Sequence, residues 1–241
     1  MASLQDDPIQ SIKQLGYFYQ KDAELGRRVD AILAKVGYYF KNKPGLTFAK
    51  VNTFQNEVYN QPARVDYANP LKQVRDIIES LFEQCSLGLF KSYGPGDDDY
   101  CILNRLHSEL RVLIVILWAS DSSVAFHSCS HKYLLNANKA PIGLLRIPPD
   151  KLAIPEITRV NVNLDKGGLR SILDGRVGFR IMSGQAIFLG FVAPDELQHW
   201  AKMTLPKLVE LQEIVREMQT QSNKIGTNFE FKEPRDSNRT H

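Results

Sequence analysis

Apolar residues recur at three- and four-residue steps in the first third of the chain and crowd into short β-branched and aromatic runs in the middle. Leu25, Val29, Ile32, Leu33 and Val36 lie on one face of a helix, and Gly37 stands where it would end. Leu71, Val74, Ile77, Ile78, Leu81 and Phe82 repeat the pattern after Pro70, a residue tolerated at a helix start. Phe48, Val51, Phe54 and Val58 predict a shorter helix between them, followed by a turn-rich connection through Pro62 and Pro70.

From Leu87 the period changes. Strands are predicted at Leu87 to Tyr93, Tyr100 to Trp118, Ser123 to Leu134, Leu144 to Ile147, Thr158 to Asn163, Leu169 to Ile181 and Gln185 to Val192. Gly94 to Asp99 and the Pro148-Pro149 pair mark turns between them. Many short strands without helical crossovers point to an antiparallel sandwich or barrel. Helix returns after Pro194, is interrupted at Pro206 and resumes through Leu208, Leu211, Val215 and Met218. The organisation is therefore an α+β single domain over 1–231. It has a mainly helical covering segment (1–86), a β core (87–193), C-terminal helices (194–221) and a flexible polar tail (232–241).

Composition narrows the function classes. Thirty Lys and Arg against 27 Asp and Glu give a net charge of +3, too interspersed for a nucleic-acid-binding face. The longest apolar run, Val112 to Ala119, has eight residues, whereas a membrane span needs about 20. The start of the chain lacks the basic and apolar stretches of a signal peptide, and Cys85, Cys101 and Cys129 fit no disulfide framework. A cytoplasmic protein with reduced cysteines is expected. Walker, dinucleotide-binding, zincin and nucleophile-elbow motifs are all missing from the sequence.

Four polar features remain. His107 and Glu109, two apart on the predicted strand, would put an imidazole and a carboxylate side by side, two-thirds of the His/His/carboxylate set that holds non-haem iron. Equally, Arg105, His107, Glu109 and Arg111 form a polar stripe that a solvated sheet face explains. His127, Cys129 and His131 alternate, yet three ligands on one strand rarely converge on one ion. Arg176 and Arg180 share a predicted face suited to clamping an anion, or to water. Asp97, Asp98 and Asp99 read as a solvated acidic turn. Trp118 and Trp200 are expected to pack, and His199 to sit on a helix surface.

The stretch Leu117-Trp118-Ala119-Ser120-Asp121-Ser122 with Ser130-His131-Lys132, and later Lys166-Gly167-Gly168-Leu169 with Leu173-Asp174-Gly175-Arg176-Val177-Gly178, resembles phytanoyl-CoA-dioxygenase-like proteins over roughly residues 100–192. The resemblance implies a double-stranded β-helix, a cupin-like jelly roll flanked by N- and C-terminal helices. It makes His107 and Glu109 the first two metal ligands, with Glu in place of Asp, and it places the distal histidine at Gly178. Ser128 and Cys129 replace the family's Pro-Gly, and the arginine that anchors 2-oxoglutarate is missing from 185–189. On this basis Gly178→His would complete the ligand set.

Three readings follow. In the first, a diverged dioxygenase-fold protein binds or transforms a small organic molecule, for example by isomerising it, without a complete iron triad and without a resident cofactor. His107 and Glu109 are then catalytic, and Arg105, Arg111, Arg176 and Arg180 bind an anionic ligand. In the second, an active oxygenase uses Fe(II) and 2-oxoglutarate with a further ligand such as His127 or His131. In the third, the chain is a non-catalytic interaction module. The first two expect His107 and Glu109 to point into the jelly-roll cavity.

Overall fold

The computed structural model describes residues 7–54, 70–164 and 168–233. The expected helical residue Val58, the turn at Pro62 and part of the 166–169 motif lie outside them. In chain order the elements begin with α1 (Pro8–Leu15), β1 (Tyr17–Asp22), α2 (Ala23–Val36), α3 (Lys43–Thr53) and α4 (Pro70–Leu81). The β core comprises β2 (Cys85–Tyr93), β3 (Tyr100–Cys101), β4 (Val112–Trp118), β5 (Ser123–Ser128), β6 (Asn138–Lys139), β7 (Leu145–Arg146), β8 (Thr158–Asn163), β9 (Gly168–Asp174), β10 (Gly178–Ser183) and β11 (Ala186–Val192). The last elements are α5 (Pro194–Leu197), β12 (Met203–Pro206), α6 (Val209–Gln221), β13 (Ile225–Thr227) and β14 (Phe229–Lys232).

Local chemistry sets the helix starts. Asp7 accepts from the Ile9 and Gln10 amides at 2.9 and 3.2 Å, with Pro8 in the first turn, and Gly16 closes α1 at φ 92°. Asp22 accepts from Leu25 N at 2.9 Å and Asn42 from Gly45 N at 2.9 Å, which cap α2 and α3.

The strands form two sheets ordered β1-β9-β4-β11-β2-β13 and β6-β7-β3-β10-β5-β8. From β2 to β11 the chain passes back and forth between them, with β5 to β8 all in the second sheet, and builds two facing four-stranded sets, β9-β4-β11-β2 and β3-β10-β5-β8. That winding is the double-stranded β-helix, or jelly roll. Strands β4 and β11 are buried along their whole length because each face meets a different core. Leu113, Val115 and Leu117, with Ile187, Leu189 and Phe191, pack under α2, α3, α4 and α6. Val112, Ile114, Ile116 and Trp118, with Phe188, fill the space between the sheets.

Two expected strands divide. Tyr100 to Trp118 is β3, an irregular loop over 102–111, and β4; Leu169 to Ile181 is β9, a turn, and β10. Among the described residues the loop's polar stripe has no neighbouring strand to pair with, and burial on both faces begins only at Val112. Ser123 to Leu134 ends as a strand at Ser128, where Cys129 takes a left-handed φ of 67° and a 3-10 turn follows. Pro206 ends β12 instead of breaking a helix, and Lys232, expected in the tail, pairs with Pro206.

Candidate functional site

The structure does not place His107 and Glu109 between the sheets. Trp118, Phe126, Phe179 and Phe188 fill that space, each at most 1% exposed, with Tyr17 stacked on Phe126 at 4.8 Å. His107 and Glu109 lie instead on the exposed 102–111 loop, and the Glu109 side chain is 70% exposed. The expectation that both enter the jelly-roll cavity is therefore corrected. Alternation along a strand does not apply to a segment that is not a strand.

Ion pairs tie this loop down. Arg176 is held by Asp174 through Nε at 2.9 Å and Nη2 at 2.6 Å, and its Nη1 donates to the His107 carbonyl at 2.6 Å. Arg105 reaches the buried carboxylate of Glu196 at 3.2 Å, and Glu196 also accepts from Trp200 Nε1 at 3.1 Å. Arg111 lies 3.1 Å from both Glu109 and Asp195. Below the loop, against the ends of α1 and α4, a solvent-facing cleft of about 890 Å3 is lined by His107, Glu109, Arg111, His131, Asp174 and Arg176. Lys13 and Lys132 also line it, and neither forms an ion pair among the described residues. Arg105 and Arg180 do not line it.

Arg180 belongs to a second cluster. Asp99 accepts from Arg180 Nε at 3.2 Å and from its Nη2, and lies 2.7 Å from His127 Nε2. The Asp99 carboxylate is buried, which corrects the reading of the whole 97–99 run as a solvated turn. Arg176 and Arg180 thus do not form one clamp: each guanidinium is engaged by its own carboxylate. Val177, just before β10, and Phe179 and Ile181 within it face the inter-sheet core, so Gly178 and Arg180 point to the outer face, beside His127.

The 127–131 cluster separates for the same geometric reason. His127 turns outward to Asp99, while His131, in the 3-10 turn, is buried with Nε2 3.3 Å from the Lys13 carbonyl. Its Nδ1 has no hydrogen-bond partner among the described residues and packs against Gly16, where a Cβ would lie 2.5 Å from it. Cys85 and Cys101 are buried free thiols, and burial pushes both up to about 12. Trp118 packs as expected, with Nε1 donating to Ser171 Oγ at 2.9 Å, and His199 is exposed.

These donors do not fit the iron set that the resemblance implies. Among the described residues no three His, Cys, Asp or Glu side chains come together as a metal site. A Cβ at Gly178 would meet Ile147 Cδ1 at 3.0 Å and the His127 side chain at 3.3 Å, on the face away from the core. Gly178→His should therefore cost about 2–4 kcal/mol by overpacking this site and displacing His127 from Asp99. It should bring no gain in Fe(II) or Co(II) affinity. Urea unfolding and a metal-competition titration check both, and a folded variant that gains metal affinity overturns the placement.

His131 gives a pH-dependent expectation. Burial lowers its pKa; the Asp174 carboxylate and the Lys13 carbonyl oppose that shift without reversing it. The folded state then binds fewer protons than the unfolded chain. The contribution is complete above the unfolded value of about 6.5 and is lost as pH falls through the lower folded value. Urea midpoints should fall from pH 8 to pH 5, and His131→Gln should flatten that decline.

Neither protein-family profiles nor curated protein sequences match the chain. Among solved structures it is similar to iron-bound HygX from Streptomyces hygroscopicus, at TM-score 0.48 and 11% identity over 88% of this chain and 94% of that one. It is also similar to the epimerase SnoN, solved with Fe3+, alpha ketoglutarate and nogalamycin RO, at TM-score 0.46 and 10% identity over 79% and 84%. AviO1 from Streptomyces viridochromogenes aligns at TM-score 0.44 and 14% identity over 81% and 98%. At these scores the likeness says nothing about ligands or chemistry in this chain.

Asp99, Lys13 and Lys132 are the residues that sequence reasoning missed. Asp99 had one local signal, its place immediately before the apolar start of β3. The lysines had none, because only the fold brings the end of α1 to the 3-10 turn after β5.

Proposed function

We propose that the protein is a diverged member of the dioxygenase fold, descended from phytanoyl-CoA-dioxygenase-like enzymes, that binds a small organic anion outside its jelly roll and without an iron triad. The observation that carries this reading is the 890 Å3 cleft, in which Lys13 and Lys132 face the strapped 106–111 loop. Among the described residues Lys13 and Lys132 form no ion pair, and two such cations against the one similarly placed carboxylate, Glu83, attract a carboxylate or phosphate, while His107 supplies a hydrogen bond from the opposite wall. Arg111 and Arg176 shape the wall while paired to carboxylates, and Arg105 holds the loop through Glu196.

Binding is favoured over transformation because His107 and Glu109 stand in water-filled space. There, fixed charges and dipoles lose most of the leverage they have in a closed site. A concave polar site along 106–111 also supports small-molecule binding over a purely protein-interaction role.

Titration of the full chain with 2-oxoglutarate, succinate and citrate, followed by amide chemical shifts, tests the reading. At least one anion should bind saturably with shifts around Lys13, His107 and Lys132. A Lys13→Glu, Lys132→Glu variant should weaken it at least tenfold. With Fe(II) added, no succinate should form from 2-oxoglutarate. Binding that ignores both lysines, or substrate-dependent succinate release, would overturn it.

A further inference from the structure

A second concave site lies on the helical cover, between α2 and α3. Helices α2 and α3 run antiparallel, since Arg28 Nη2 on α2 donates to Asn52 Oδ1 on α3 at 2.9 Å, while Lys35 and Lys43 stand at the other end. Between them is a groove of about 660 Å3, within the range of small-molecule pockets (about 300–1,000 Å3). Its apolar floor is Ile32, Phe48 and Val51, and its charged lining residues are all cations: Arg28, Lys35 and Lys43. Lys35 has no ion pair among the described residues. Lys43 pairs with Glu210 at 3.3 Å, but both side chains are about half exposed or more, so this contact is weak and exchangeable.

We propose that this groove binds a free medium-chain fatty acid as its carboxylate, with the head group at Lys35 and Lys43 and the alkyl chain along Val51, Phe48 and Ile32 toward Asn52. The charge pattern selects an anion. The floor selects a hydrocarbon, since each methylene removed from water contributes about 0.8 kcal/mol. The distance from Lys35 to Arg28 along α2 is about 10 Å, which suits one chain. Three apolar side chains fall well short of the roughly 800 Å2 per partner that a stable protein interface buries.

The probe is dodecanoate below its micelle-forming concentration, added to the full chain and followed by amide chemical shifts and calorimetry. One equivalent should bind, with shifts centred on residues 28–52. Dodecyltrimethylammonium should bind at least tenfold more weakly, and so should dodecanoate to a Lys35→Glu, Lys43→Glu variant. Thr47→Glu, at an exposed groove position, should weaken dodecanoate similarly and does not depend on the first variant folding. Equal affinity for the two head groups, shifts elsewhere, or insensitivity to these substitutions would overturn the proposal. So would a dimer in sedimentation that Thr47→Glu dissociates, because a second copy of the chain would then be the occupant.

Discussion

Replacing Asp99 by alanine should destabilise the protein by about 3–5 kcal/mol, the range for removing one partner of a buried charge cluster. The carboxylate engages both His127 and Arg180, so its loss strands two side chains on the outer face of the second sheet. There, a small cluster of Cys101, Leu135, Ile147 and Ile157 covers the sheet, and the Ile147 amide donates to the Asp99 carbonyl at 2.8 Å. Asp99→Asn should cost less, because it keeps the shape and one acceptor. Burial pushes the Asp99 carboxyl up, yet the hydrogen bonds and charges of His127 and Arg180 together hold it below its ordinary value. Its contribution is therefore complete above about pH 4 and lost as pH falls through the lower folded value. Urea midpoints from pH 7 to pH 2 check this. An Asp99→Ala midpoint near wild type, or an Asp99→Asn protein with the same acid sensitivity as wild type, would refute the assignment.

Gly168→Ala should cost about 3 kcal/mol or more, at the upper end of overpacking effects. A Cβ there would lie 2.3 Å from both Cα and N of Gly26 and 2.8 Å from the Trp118 carbonyl. All three are backbone atoms, so no side chain can swing aside. The helix α2 would have to lift off β9, carrying Leu25, Val29 and Ile32 out of the core. Far-UV circular dichroism and urea unfolding measure the effect, and a wild-type midpoint would show that the two elements are not so closely packed.

Much of this architecture was legible in the sequence because burial writes a period. The face of α2, the continuous apolar runs of β4 and β11, and β8 at Thr158 to Asn163 are found where apolar spacing puts them. Strand β1 was not legible. Tyr17 to Asp22 carries two inward residues followed by a polar end, too short a signal to separate from the helices on either side. The 102–111 loop was misread because alternating charges look like a strand's solvent face, and only the lack of a pairing partner distinguishes them. Gly178 was matched to a metal-ligand position by motif. The side of the sheet that a residue faces is decided by its register, and here Val177 and Phe179 take the inner face. Arg176 and Arg111 find Asp174 and Glu109 two residues away, but Arg105 and Arg180 take their carboxylates from distant segments, Glu196 and Asp99, and spacing carries no trace of those pairs.

The pairing of β1 with β9 also orders events during synthesis. Tyr17 meets Leu173 and Asp22 meets Gly168, so the N-terminal strand has no partner until about 150 more residues have been made. At ribosomal speeds of about 5–20 residues per second, that is roughly 8–30 s. For this interval Tyr17-Phe18-Tyr19 is an unpaired aromatic edge, a template on which nascent chains can associate. Gln20, Lys21 and Asp22 follow directly, and such polar and charged neighbours oppose stacking of an apolar strand. The sheet that seals the helical core is thus finished late. Yield of soluble protein, more than stability of the finished fold, is where charge-removing substitutions at Lys21 would be felt.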